Sequence, residues 1–163
     1  ILYLCQDMRE FELYGTVKAV ISVCDSLNYL LSEEDLLETF QLVNNYLDPG
    51  GVFIFDFNTV FKYSEVIGDV TIAENRENCS FIWENYYDEE TRNNEYYISF
   101  YIKKGRLYRK FVEEHTQHAF TPEEVRDVAK RAGLTIIEER NSEFEAPADY
   151  SGERIYFIMK KEG

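Results

Sequence analysis

Two apolar runs dominate the hydrophobic pattern, and each changes abruptly to polar residues at its end. Val17–Val23 is rich in β-branched residues, which is typical of a strand buried on both faces of a parallel sheet. Val52–Asn58 is a similar run that finishes in Asp and Asn. Because ligands bind beyond the carboxyl ends of strands in open α/β sheets, the polar residues after Val23 predict a site. They are Asp25, Ser26, Asn28 and Tyr29.

A helix with clear start and stop signals lies between these two runs. Ser32 is its predicted N-cap, Asp35 takes the capping-box position, and apolar residues then recur with the helical period. Asp48-Pro49-Gly50-Gly51 ends the helix. Strand, helix and strand therefore predict a βαβ unit with a right-handed crossover.

Residues 79–120 follow a period-two pattern instead. It predicts antiparallel strands with turns at Glu89–Asn94 and Lys104-Gly105, after a short helix at Phe61–Ile67. The many aromatic side chains here fit a half-buried sheet face as well as they fit a substrate cover or a dimer surface.

The last part of the chain predicts one more helix and two strands. Thr121 is the N-cap and Glu124 the third helical residue. The strands are Leu134–Glu138 and Arg154–Met159, joined by a loop over residues 142–152. At the other end, Ile1–Cys5 is predicted as a short strand.

Composition and charge limit the classes of binding partner that the protein can have. The 163 residues, 45% of them hydrophobic, suffice for one domain over residues 1–163. A net charge of −14 argues against nucleic acid or an anionic membrane surface as the main partner. Three scattered cysteines disfavour a zinc site or a disulfide framework and favour the reducing cytoplasm. His115 and His118 are three apart on a predicted strand, hence on opposite faces, which disfavours a metal pair.

Four segments, in this order and spacing, resemble class I S-adenosylmethionine-dependent methyltransferases that act on small molecules. They are Gln-Asp-Met-Arg after Cys5, Val-Ile-Ser-Val-Cys-Asp-Ser-Leu-Asn-Tyr-Leu, Leu-Asp-Pro-Gly-Gly-Val-Phe-Ile-Phe-Asp-Phe-Asn, and Thr-Pro-Glu-Glu-Val before Ala-Gly-Leu. The 79–120 insert, ending Glu-Glu-His-Thr-Gln-His-Ala-Phe, is similar to inserts in bacterial members, including aminosugar N-methyltransferases. The resemblance implies an α/β fold: a Rossmann-like methyltransferase sheet, incomplete at its N-terminal half, with an inserted antiparallel β-sheet.

The same resemblance implies S-adenosylmethionine as methyl donor and assigns roles to residues. Asp7 would accept from the adenine amino group, although an acid in this position also serves as a helix cap. The backbone of Met8 would meet the adenine edge, Cys24, Asp25 and Ser26 would line the methionine end, and Asn28 and Tyr29 would face the acceptor. Tyr29 and His115 are the candidate catalytic residues. If the acceptor is an amine, it must be neutral to attack, and His115 or Glu114 is expected to take its proton.

The family's glycine-rich turn and the acid that holds the ribose have no counterpart in these residues. The chain also begins without Met, as a fragment or processed protein would, and we expect it to bind the cofactor poorly and to be inactive by itself. In the family's strand order, 3-2-1-4-5-7-6, two positions lie between Ile1–Cys5 and Val17–Val23. Either Ile1–Cys5 pairs beside Val17–Val23 or two chains pair through that edge; an exposed, unpaired edge in a monomer would contradict both.

Two functions follow from these observations. The first is methyl transfer to a small-molecule acceptor, with an amine as one candidate. The second is a non-catalytic binding or dimerisation module derived from the same fold, with a homodimer formed through the antiparallel sheet or the Val17–Val23 edge. Another nucleotide-binding α/β enzyme fits the insert and the last helix less well.

Overall fold

Eight strands and two helices carry the fold of the computed structural model, which describes residues 1–145, 147–148 and 150–163. In chain order they are β1 (Val17–Ser22), α1 (Glu33–Tyr46), β2 (Leu47–Asn58), β3 (Thr71–Asn75), β4 (Cys79–Asp88), β5 (Asn93–Lys104), β6 (Leu107–His118), α2 (Pro122–Arg131), β7 (Leu134–Arg140) and β8 (Arg154–Lys161). A 3-10 turn, Ser26–Tyr29, follows β1, and a π-helical turn, Lys62–Ile67, follows β2. The predicted loop 142–152 includes positions 146 and 149, which lie outside the described residues.

The first sheet has the order β1-β2-β8-β7, in which β1 and β2 are parallel and the other neighbours antiparallel. This is the arrangement that the family resemblance implies for its strands 4-5-7-6, and the predicted α/β fold class is confirmed. Phe40 of α1 packs edge-on against Phe53 and Phe55 of β2, and Phe55 stacks on Phe157 of β8 at 5.5 Å between ring centroids. These aromatic side chains are fully buried, so the core lies between the sheet and the helices.

Both helix starts agree with the prediction. The Ser32 side chain accepts from the Asp35 N–H at 3.1 Å, and Thr121 and Glu124 form a reciprocal capping box at α2. The strand after α1 begins at Leu47 rather than Val52, because a left-handed Gly50 (φ +75°) lets the chain turn within the strand.

The second sheet has the order β3-β4-β5-β6 and is antiparallel throughout, as predicted for residues 79–120. Strand β3 was not predicted from the sequence. The register of β4, β5 and β6 places Asn85, Tyr96 and His115 side by side on one face of this sheet. This face contacts the 3-10 turn after β1, so the second sheet covers the carboxyl end of the first.

Ile1–Cys5 is exposed and forms no strand, so the prediction that it pairs beside β1 is wrong. The following turn is anchored elsewhere, since Arg9 bonds to both Asp7 and Asp35 at the start of α1. The outer side of β1 has no strand partner among the described residues, and Ile21 is 65% exposed. Pairing of two copies through this edge is not tested by a single chain and stays a prediction.

No helix in the described part of the chain is both long enough and apolar enough to cross a membrane.

Candidate functional site

The turn after β1 has an unusual backbone that ties the ends of β1 and β2 together. Cys24 (φ 64°) and Asp25 (φ 52°) are consecutive non-glycine residues in the left-handed region, a conformation that is often found at functional sites. It directs the Asp25 N–H to Oδ1 of Asp56 near the end of β2, at 3.1 Å.

A charged cluster fills the space between these strand ends. Arg154, the first residue of β8, donates to Oδ1 of Asp25 at 2.8 Å and to Oδ2 of Asp56, which is 1% exposed. Burial lowers the pKa of Arg154, but its bonds to the two carboxylates outweigh this and raise the pKa overall, so Arg154 stays charged. Gln117 of β6 donates to the other Asp25 oxygen at 2.9 Å. Asp25 is therefore an anchor between the two sheets as well as a candidate cofactor contact.

Asn28 lies in the core and not at the acceptor face. Its Nδ2 donates to the Asn58 carbonyl at 3.1 Å and to the His118 carbonyl at 2.8 Å, and its Oδ1 accepts the Asn58 N–H at 2.9 Å. With the residue 0% exposed and these bonds made, the amide has no face left for an acceptor. This geometry contradicts the predicted substrate contact.

Tyr29 and His115, which are far apart in sequence, meet in space. The Tyr29 hydroxyl lies 3.0 Å from His115 Nδ1 and 2.7 Å from the Tyr96 hydroxyl. The Tyr96 ring stacks on the His115 ring at 4.8 Å between centroids. Glu113 Oε2 lies 3.5 Å from the other nitrogen of His115. Glu114, the alternative predicted proton acceptor, is opposite Tyr97 on the other face of the sheet.

Burial, together with the hydrogen bond to Tyr29, raises the pKa of Tyr96 well above its usual range. Tyr96 therefore keeps its proton at neutral pH, and Tyr29, half-exposed, is the member of the group that an acceptor can reach.

A cleft of about 400 Å³ opens beside Tyr29. Its lining residues are Gln6, Asp7, Met8, Arg9, Tyr29, Leu30, Leu31 and Asp35. The structure thus brings together Asp7, Met8 and Tyr29, although Ile1–Cys5 is not a strand. Hydrogen bonds from the side chain and the backbone N–H of Arg9 lower the pKa of Asp7 to about 2, so its carboxylate is ionised at neutral pH.

The remaining predicted cofactor residues lie at the turn but do not line this cleft. Cys24 is exposed, and the Ser26 hydroxyl donates to the Val23 carbonyl at 2.8 Å. Sequence reasoning missed Arg154, Gln117 and Tyr96 altogether. Of these three residues, only Arg154 had a signal in the sequence, because it is a charged residue at the start of an apolar strand. Within the described ranges, His, Cys, Asp and Glu form no cluster of three or more that could hold a metal.

No family model matches this chain. It is 35% identical over 162 residues to YqeM of Bacillus subtilis (strain 168), a protein provisionally named a methyltransferase; the match covers 99% of this chain and 66% of YqeM. A crystal structure of an S-adenosylmethionine-dependent methyltransferase from Clostridium acetobutylicum ATCC 824 superimposes with a TM-score of 0.91 at 30% identity, covering 98% of this chain and 64% of that one. The chain thus spans slightly less than two thirds of these relatives.

A more distant structural neighbour is CalS10 with S-adenosylmethionine bound, an amino pentose methyltransferase from Micromonospora echinaspora. It superimposes with a TM-score of 0.70 over 96% of this chain and 63% of CalS10. At 18% identity, this likeness concerns the fold alone.

Proposed function

Because this chain belongs to the class I S-adenosylmethionine-dependent methyltransferases, we propose that it supplies the acceptor side of an active site that methylates a small molecule bearing an amine. The observation that carries the proposal is the meeting of Tyr29 with His115 and Tyr96 beside the cleft that holds Asp7. We also propose a cytoplasmic location, on the basis of three free cysteines.

The cleft fits the adenine end of the cofactor. Oδ1 of Asp7 accepts from the N–H and the Nε of Arg9, and Oδ2 accepts from the Arg9 guanidinium at 2.8 Å. A carboxylate offers about four acceptor positions, so one position on Oδ2 remains for an amino N–H. Leu30 and Leu31 add an apolar wall suited to a flat ring. We therefore assign Asp7 and Met8 to the adenine, and leave Cys24, Asp25 and Ser26 as proposed contacts of the methionine end.

S-adenosylmethionine, when bound, supplies an electrophilic methyl group on a positively charged sulfur. The part of this chain is to prepare the acceptor. Protonated Tyr96 donates to the Tyr29 oxygen, and Tyr29 donates to Nδ1 of His115. The proton of the neutral His115 ring is then on Nε2, which faces Glu113. An ammonium group that approaches Tyr29 gives its proton to the tyrosine oxygen while the tyrosine proton passes to His115. The amine is then neutral and able to attack, and Glu113 stabilises the charged imidazole.

Cofactor binding is tested by calorimetry with S-adenosylmethionine and S-adenosylhomocysteine, on the 163-residue chain and on a version extended to the length of the relatives. We expect heat from the extended protein and little from the chain alone. In the extended protein, Asp7→Asn should weaken binding by about tenfold, because a hydrogen bond to a charged group is lost. Asp69→Asn, at an exposed position, is the matched control. No heat from the extended protein would leave only the binding-module function.

The role of the tyrosine–histidine group is tested by methyl transfer to a panel of amines and matching alcohols. In the extended protein, Tyr29→Phe and His115→Gln should each lower kcat on amines by about a hundredfold, the usual scale for losing a proton acceptor. Tyr97 follows Tyr96 in β5 and lies on the opposite face of the sheet, so Tyr97→Phe should leave kcat unchanged. Transfer to alcohols and not to amines would overturn the acceptor class while leaving the cofactor result intact.

A further inference from the structure

Among the described residues, no strand pairs with the outer edge of β6 in the second sheet. β6 is its last strand, and residues Leu107–Glu114 are exposed, with Leu107 at 75% and Val112 at 51%. In the described part of the chain, their backbone groups bond only to β5 on the inner side. Such an edge presents unpaired N–H and C=O groups to any strand that can reach it.

The charges on this edge are balanced, unlike those of the whole protein. The chain carries a net charge of −14, but Leu107–Glu114 contains Arg109 and Lys110 followed by Glu113 and Glu114, which sum to zero. An edge that is protected only by charge needs one sign repeated along the strand, because like charges repel a second copy. Here the positive pair precedes Phe111 and the negative pair follows it. The charges of this strand are therefore complementary to those of a second copy that runs antiparallel to it.

The geometry of antiparallel pairing selects a register. Residues directly opposite each other have side chains on the same face of the sheet, so with a two-fold axis perpendicular to the sheet, Phe111 can lie opposite Phe111 of a second copy. Arg109 of each copy then lies opposite Glu113 of the other, and Lys110 lies diagonal to Glu114. The register makes two opposite-charge pairs around an apolar centre, with no like charges opposed.

We propose that two copies of this chain associate through β6 in this register. The β3-β4-β5-β6 sheets of the two copies then form one sheet of eight strands. His115 lies two positions beyond Glu113, so the two Tyr29–His115 groups flank the interface. The association does not depend on methyl transfer, and it fails or succeeds separately from the proposed activity.

Sedimentation equilibrium over a dilution series at neutral pH tests the proposal. The unaltered chain should show a monomer–dimer equilibrium. Arg109→Glu places like charges opposite each other twice and should raise the dissociation constant by about tenfold or more. Glu113→Arg should do the same, and the double change Arg109→Glu with Glu113→Arg should restore the original constant. Arg106→Glu makes the same charge change in the β5–β6 turn, outside the pairing, and should have little effect.

The outcomes separate the interfaces. All these positions are exposed, so circular dichroism should show the fold unchanged in each variant. A monomer at every concentration overturns the proposal. So does a dimer that responds equally to Arg109→Glu and to the double change, or one lost only with Ile21→Lys, which would place the contact on the β1 edge instead.

Discussion

The buried side chain of Asn28 joins two strand ends at the site. It bonds the end of β2 through Asn58 and the end of β6 through the His118 carbonyl. Asn28→Ala leaves three buried backbone groups without partners and should reduce the free energy of unfolding by about 3 kcal/mol. Urea unfolding measures this. Asn45→Ala, at an exposed position of α1, is the control and should change it by less than about 0.5 kcal/mol. An equal effect of both changes would contradict the assigned role.

At the same scale, the residue types of the site were predictable but their partners were not. Tyr29 follows an apolar strand of the α/β sheet, and that position alone indicates a site. Its contact with His115 depends on the register of β5 and β6 and on the packing of the second sheet, none of which local sequence specifies. Asn28 shows the opposite error: a polar residue at a strand end was taken for a ligand contact, although a buried amide also satisfies backbone groups.

Among the elements, those with local start and stop signals were predicted best. α1 and α2 have caps that act within four residues, so the sequence is sufficient to place them. Strands depend on neighbours. Ile1–Cys5 has strand composition but no partner, and Thr71–Asn75 pairs with β4 despite its short, polar sequence.

The packing of helix α2 should also respond to acid. Burial alone would raise the pKa of Glu124, but hydrogen bonds from Arg92 and Thr121 outweigh it and lower the pKa from 4.5 to about 2. The folded carboxylate therefore stabilises the protein above about pH 4.5, and this contribution is lost as the pH falls toward 2. Glu124→Gln should cost about 1 kcal/mol at pH 7, allowing for partial exposure, and almost nothing at pH 2.

Urea unfolding at both pH values measures this difference. Glu123→Gln is the control, since Glu123 lies in the same first turn, is 77% exposed at the side chain and pairs with Arg126 at the surface. It should have little effect at either pH. A constant effect of Glu124→Gln across this range would show that the carboxylate charge is not what holds α2 to the β4–β5 turn.

For the whole molecule, the high net charge and the exposed edge strands β1 and β6 act against each other. The charge of −14 opposes association beyond the proposed β6-paired dimer at neutral pH, but it vanishes near the isoelectric point of about 4.5. At that pH the exposed β1 edges of different dimers meet without net repulsion, and the protein should associate into large particles. Light scattering between pH 7 and pH 4 should therefore rise near 4.5. Ile21→Lys adds a charge to the β1 edge and should reduce the rise, whereas Lys104→Ile, which removes one from the hairpin tip, should not. Flat scattering through pH 4.5 would mean that the strand edges do not drive association.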